Sequence, residues 1–250
     1  MIIDEIKEKV VQTLGIPASS SKISRRMKSM KLTRKRLVLV PAERNTEARI
    51  DERAIFSADI SRFADDRLVF LDETGFSQHT RRTYGYSSIN SPAYITVPAN
   101  RGINRSVLCA IGVHGLIASE CRTGSFNSES FIRFIEDKLV PYFRLYPRKV
   151  LVMDNARIHK TAAVERVLQL NGIPFKFLTP YSPELNPIEE FFSMTKPRYH
   201  SLRIQSPNLT LEICISQILS SENDYSIHCQ GFYRNMRRWL EKAQRRELFI

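Results

Sequence analysis

No two of the four cysteines, Cys109, Cys121, Cys214 and Cys229, form a C-x-x-C pair. That spacing offers no cysteine-built zinc site and no disulfide framework, so the expectation is a reduced, intracellular protein. No apolar run approaches the length of a membrane span. Acids interrupt the apolar residues at the N-terminus, which excludes a secretory signal there. A glycine-rich phosphate loop, a Ser/His/Asp arrangement and an internal repeat are all missing. Acidic residues are also short: 26 Asp and Glu stand against 38 Lys and Arg, a net charge of +12. Such an excess serves solubility or a polyanionic partner, either nucleic acid or an anionic membrane surface. At 42% hydrophobic residues the 250-residue chain is globular rather than disordered, with length for one sizeable domain and a small one.

The stretch from Lys149 to Glu190 carries the densest signal. Val150–Met153 is a short, β-branched apolar run, which predicts a buried strand, and it runs directly into Asp154. A second strand is predicted over Phe175–Leu178, followed by a proline-rich loop and a helix. In that helix Asn186 suits the N-cap, Pro187 the first position and Glu189 the first turn. Upstream, Leu68–Leu71 is a similar apolar run leading into Asp72, within a first strand expected over Arg67–Phe76. A carboxylate at the mouth of a buried strand is costly unless something pairs with it. Three carboxylates delivered by separate elements suit a divalent metal site. Glu189 has a structural alternative: a glutamate three residues after an Asn N-cap is what a capping box requires. Glu190 is the neighbouring candidate, and Glu184 is read as a surface acid of the loop.

Three motifs in order, L-D-E-T-G-F at 71–76, M-D-N-A-R-I-H-K at 153–160 and P-Y-S-P-E-L-N-P-I-E-E-F-F at 180–192, resemble the catalytic domain of Tc/mariner-type transposases. That family belongs to the DDE recombinases with a ribonuclease-H-like fold. The resemblance covers roughly residues 67–200. It implies an α/β fold, a mixed sheet flanked by helices and preceded by a small helical segment. It implies Asp72, Asp154 and Glu189 as catalytic, metal-binding acids. Thirty-four residues lie between the last two, the spacing of the Tc branch. The same resemblance implies Mg²⁺ or Mn²⁺, two ions per site, with Asp72 bridging them and Asp154 and Glu189 each binding one. Asn155 and His159 would stand behind the ligands rather than bind metal; a histidine placed like His159 is otherwise an ordinary structural hydrogen-bond donor. On an extended strand Asp72 and Glu73 point to opposite faces, so only one can reach the metal, and the motif selects Asp72.

Outside this region the chain is expected to divide into a helix-turn-helix-like DNA-binding segment at 1–40, a linker and helix at 41–66, the catalytic domain at 67–222 and a basic helical extension at 223–250. In the first segment, Ile3, Ile6, Val10 and Leu14 have helical spacing, Gly15-Ile16-Pro17 breaks it, and a second helix carries Ile23, Met27 and Met30. Lys22, Arg25, Arg26 and Lys28 on that second helix, with Arg34, Lys35 and Arg36 after it, would contact DNA phosphates. An ordinary helical hairpin with a solvated basic face accounts for the same pattern, although S-S-S-K-I-S-R-R-M-K resembles the family's second DNA-binding helix. Family members carry two such modules, and the room here for one implies a chain shortened at its N-terminus.

Arg81 and Arg82 read as a basic turn or as a contact to DNA near the site, with Tyr84 or Tyr86 packing on sugar or base. Ser106–Val113 and Leu116–Glu120 are expected to form a hairpin. Asn127–Phe143 is expected to be a helix whose aromatics pack in the core and which Pro141 ends. The basic, aromatic Gly231–Phe249 either lies along DNA or packs on the catalytic core.

The resemblance implies phosphodiester cleavage at a transposon end, then attack of the freed 3′-OH on target DNA. The partners would be terminal repeats and target DNA, with a homodimer or higher assembly on DNA and no membrane. The location would be the nucleus of a eukaryote, otherwise the cytoplasm or nucleoid. Two other readings share the pattern: a catalytically silent DNA-binding protein derived from such an element, and a different nuclease on the same fold.

Overall fold

The computed structural model describes residues 3–33, 35, 39–78, 86–94, 96, 102–220 and 222–249. The chain forms two compact units, 1–40 and 41–250.

In the first unit, α1 (Ile3–Leu14) and α2 (Ser20–Ser29) pack against each other. The Ser19 side chain caps α2 by accepting from the Lys22 amide at 3.3 Å. Ile23 is turned inward and buried, while Lys22, Arg25, Arg26 and Lys28 are all exposed. Lys35 is exposed as well. Arg34, Arg36, Arg81, Arg82 and Tyr84 lie outside the described residues.

The second unit is built on one five-stranded sheet of order β3-β2-β1-β4-β5. Its strands are β1 (Leu68–Ser77), β2 (Asn104–Gly112), β3 (Gly115–Thr123), β4 (Val150–Met153) and β5 (Phe175–Phe177). β1, β2 and β3 form an antiparallel meander, and β4 and β5 add in parallel on the other side of β1. The exposed His114 sits in the tight β2–β3 turn. The helices are α3 (Glu47–Ile60), α4 (Ser128–Phe134), α5 (Val140–Leu145), α6 (Ala162–Leu170), α7 (Pro187–Gln205), α8 (Leu211–Ile218) and α9 (Ser226–Gln244).

Residues alternate between two cores because side chains on a strand point to opposite faces in turn. Leu68, Phe70, Val150 and Val152 pack with α3, α7, α8 and α9. Val69, Leu71, Leu151 and Met153 pack on the other face with α4, α5 and α6. Each fully buried residue of this kind stabilises by about 1.5–3 kcal/mol relative to exposure.

β1 runs through Asp72 to Ser77, within a residue of the expected 67–76 strand, because β2 goes on pairing with it from Asp72↔Cys109 to Ser77↔Asn104. What ends near Asp72 is the parallel pairing with β4, whose last rung is Leu71↔Met153. One expectation is corrected: Pro141 does not stop the helix. Ile135–Leu139 is a π-helical segment, and Pro141 sits in the opening turn of α5 just after it. Proline lacks an N–H and crowds the carbonyl four residues back; a wider turn placed there accommodates both.

The C-terminal stretch packs on the core. Cys229, Tyr233, Met236, Leu240 and Ala243, spaced four and three residues apart on α9, are buried. The Tyr233 hydroxyl donates to the Leu68 carbonyl at 2.9 Å. The Tyr233→Phe variant, which deletes that buried bond and keeps the ring, is expected to lose about 1 kcal/mol, a fall in melting temperature of roughly 2–4 °C by calorimetry.

Candidate active site

Asp72 and Asp154 are each the first residue beyond the Leu71↔Met153 rung, on adjacent strands. Neighbouring strands run ~4.8 Å apart, so the register alone brings these two acids side by side. The alternation also aims Asp72 to the same face as Leu68 and Phe70, the face α7 covers. From the first turn of α7 Glu189 reaches the same place. Asp72, Asp154, Asn155, Tyr181, Asn186 and Glu189 all line one cleft of about 380 Å³. Glu73, on the opposite face of β1, does not line it.

Asp72 is 8% exposed. Its Oδ1 accepts from the Glu73 amide at 2.7 Å, and its Oδ2 accepts from Asn186 Nδ2 at 2.8 Å. Burial, and then the neighbouring Asp154, push its pKa up to about 7; Glu189 adds to this, and the Glu73 amide bond opposes it. Asp154 is held in the opposite direction. Burial would raise it, but His159 Nδ1 at 2.6 Å from its Oδ1 and the Ala156 amide at 2.9 Å outweigh that and keep its pKa below the usual carboxylate range. To meet a carboxylate oxygen, His159 Nδ1 must carry its proton. The His159 ring is 1% exposed and stacks on Phe131 with centroids 4.3 Å apart. His159 therefore orients Asp154, and its Nε2 is buried without a hydrogen-bond partner among the described residues. Asn155 Nδ2 donates to the Leu178 carbonyl, tying the end of β4 to the start of the loop after β5.

Asn186 and Glu189 answer the capping question. Asn186 occupies the N-cap of α7, but its side chain makes no cap hydrogen bond: Nδ2 donates to Asp72, and Oδ1 is buried without a hydrogen-bond partner among the described residues. No capping box forms. Among the described residues the Glu189 carboxylate takes no hydrogen bond or ion pair, and it is exposed at the cleft. Glu190 is turned away, its Oε1 accepting from Asn235 Nδ2 on α9 at 2.8 Å. Glu184 is not a free surface acid; it is half-buried and paired with Arg44.

Three side chains have roles that the sequence does not announce: Asn186 as anchor of Asp72, Glu184 as partner of Arg44, and Tyr181. Tyr181 has φ +55°, a left-handed backbone rare for a non-glycine residue, and its ring is 45% exposed at the cleft. The P-Y-S-P run hints at a stiff loop but not at this conformation.

Three acids in one cleft are the donor set of a hard divalent cation. The raised Asp72 pKa reflects first its burial and then the nearby Asp154 and Glu189 carboxylates. Among the described residues no three His, Cys, Asp or Glu side chains close up into a metal-ligating group. Asp72 and Asp154 are instead turned onto protein donors, while Glu189 is free. The set fits such a cation in donor chemistry and in sharing one cleft.

This strand order and this trio of acids define a ribonuclease-H-like α/β fold. The chain belongs to the DDE superfamily endonuclease family, whose family model matches residues 67–209. Solved Mos1 transposase structures share the fold. The Mos1 transposase paired-end complex with left transposon end superposes with TM-score 0.74 at 20% identity, over 96% of this chain and 73% of that one. The Mos1 mariner paired end complex with Mn gives 0.76 at 20% identity, over 99% and 78%. The Mos1 Strand Transfer Complex gives 0.74 at 22% identity, over 97% and 74%. No curated protein matches the chain. The resemblance to Tc/mariner-type DDE transposases drawn from the three motifs stands on the family match and this shared fold.

The raised pKa has a consequence for stability. A carboxyl whose folded pKa exceeds its unfolded value stabilises the fold while protonated, fully below about pH 4, and that contribution is lost as pH rises to about 7. In metal-free buffer Asp72→Asn is therefore expected to melt above wild type at pH 8 by about 5 °C, with the gap closing towards pH 4. Adding Mn²⁺ should raise the wild-type midpoint and leave that of the variant unchanged. Thermal melts across pH, with and without the ion, check both.

Proposed function

We propose that this chain is a metal-dependent DNA transposase that cleaves a transposon end and transfers the freed 3′ end to target DNA. The observation that carries the reading is the convergence of Asp72, Asp154 and Glu189 on one cleft, in a chain of the DDE endonuclease family. These three residues would hold two Mg²⁺ or Mn²⁺ ions. When bound, such ions neutralise charge on the scissile phosphate and activate a water or a 3′-OH as nucleophile.

The remaining work falls to the protein. His159 holds the carboxylate of Asp154 and Asn186 that of Asp72, which keeps both acids at the cleft. Tyr181 offers an exposed ring at the cleft against which a sugar or base can pack. One site serves both chemical steps, since only the nucleophile changes between them.

Residues 1–40 would be the DNA-binding module, with Lys22, Arg25, Arg26, Lys28, Arg34, Lys35 and Arg36 on phosphates. Residues 67–222 would be the catalytic domain, and Arg81 and Arg82 would meet DNA beside it. The protein would work as a homodimer or larger assembly on paired ends, in a nucleus or, without one, in the nucleoid. A DNA-binding protein that keeps this fold as a scaffold is the second reading, favoured by the way Asp72 and Asp154 are already satisfied by protein donors.

Purified chain incubated with supercoiled DNA and Mg²⁺ or Mn²⁺ is expected to nick it. Asp154→Ala should abolish nicking and leave the mobility shift intact. A shift that persists in chelator, with no cleavage under any metal, would favour the scaffold reading, and preference for an RNA–DNA hybrid would point to a different nuclease. Absence of divalent-metal binding at millimolar levels would sink the proposal. Replacing Arg25 and Arg26 by Ala is expected to weaken DNA binding evenly across sequences. The slope of log affinity against log salt should then fall by about 1 for each phosphate no longer neutralised.

A further inference from the structure

The loop from β5 to α7, residues 178–186, lines the cleft; its first residue still donates its amide to the Met153 carbonyl of β4 at 2.8 Å, and the rest belongs to no strand. It holds Tyr181 in a strained left-handed conformation, which persists only where the surroundings over-determine it. Polar side chains anchor it at three places. Asn155 grips its first residue through the Leu178 carbonyl, and Asn186 ties its last residue to Asp72. Both belong to the catalytic elements. The middle anchor is Glu184, and its partner, Arg44, comes from 140 residues away, in the short helical turn Ala42–Asn45 before α3.

That turn is itself held firmly. Arg53 on α3, 1% exposed, donates to the Arg44 carbonyl and to Asn45 Oδ1, the latter at 3.1 Å. Asn45 clasps Phe249 from both ends: its Nδ2 donates to the Phe249 carbonyl at 3.1 Å, and its Oδ1 accepts from the Phe249 amide at 3.1 Å. The Phe249 ring is fully buried, with the Arg53 guanidinium 4.5 Å and that of Arg44 5.9 Å from its centroid. The Arg44 side chain is 12% exposed and that of Glu184 25%. A pair this far from water is unlike an exposed surface bridge: removing one member strands the other.

We infer that Arg44 is a positioning residue for the cleft: through Glu184 it sets where the 178–186 loop presents Tyr181 and Asn186, and so where α7 begins and brings Glu189. The inference rests on the metal-dependent reading of the site. Arg44 touches neither substrate nor the acids; it acts through the loop. The turn that carries it begins two residues after the unit 1–40 ends, and the chain's last described residue braces it.

Two single variants test this from opposite sides. Arg44→Met keeps the apolar stem over Phe249 and deletes the charge, and Glu184→Gln keeps the loop's shape and deletes its charge. In both, hydrogen exchange of residues 179–190 is expected to rise roughly tenfold while that of β1 and β2 stays at the wild-type rate. Mn²⁺ affinity, measured by calorimetry, and the cleavage rate should each fall about tenfold with DNA affinity unchanged. The exchanged pair, Arg44→Glu with Glu184→Arg, should recover most of the loop's protection. Loop exchange at the wild-type rate in both single variants, a rise spread evenly over all peptides, or an exchanged pair no better protected than the single variants would each overturn the inference. If wild type neither binds Mn²⁺ nor cleaves, the functional reading fails, while loop exchange still decides whether Arg44 holds the loop.

Discussion

Everything at the cleft depends on four rungs of parallel pairing between β1 and β4, from Leu68↔Val150 to Leu71↔Met153. Two acids next to each other at the end of a buried ladder repel, so the register must be imposed by something stronger. It is imposed by the eight apolar residues of those rungs, every one buried, four to each core. A slip of one residue would exchange the faces of a whole strand and expose both cores to mismatched partners. Hydrophobic burial thus does the electrostatic work, and the cost reappears locally as the raised pKa of Asp72.

The two acids are then treated differently. Asp154 lies half-open to water and is stabilised as an anion by an imidazole that Phe131 keeps flat. Asp72 lies deeper and receives one backbone amide and one side-chain amide, which do not offset the burial that raises its pKa. Separate environments for two like groups split their proton affinities. Asp154 is thus the more readily ionised member of the pair and Asp72 the less. Glu189, without a hydrogen-bond or ion-pair partner among the described residues and at the positive end of α7, adds the third acid.

Much of this could be read from the chain alone, for reasons that are local. A β-branched run ending in an acid marks β4, a proline after an asparagine marks the start of α7, and the family motifs select Asp72 over Glu73. What could not be read depends on distant partners. Asn186 reads as a helix cap because its competitor, Asp72, is 114 residues away. Glu184 reads as a surface acid because nothing near it in the chain announces Arg44. Pro141 reads as a helix end because a π-helical segment leaves no mark in a pattern of apolar spacing. The C-terminal helix shows the reverse case: its arginines suggest a nucleic-acid surface, while the residues between them form the seam that packs on the sheet.

The position of Asn186 sets two aims of a protein at odds. Serine there could bond the backbone amides of α7 and would suit the isolated helix as well as asparagine does, yet its short hydroxyl would leave Asp72 without its amide donor. Aspartate would cap the helix too, at the expense of placing another negative group against a carboxyl already starved of compensation. Laboratory evolution that rewards heat tolerance alone would thus drift towards residues at 186 that quieten the cleft.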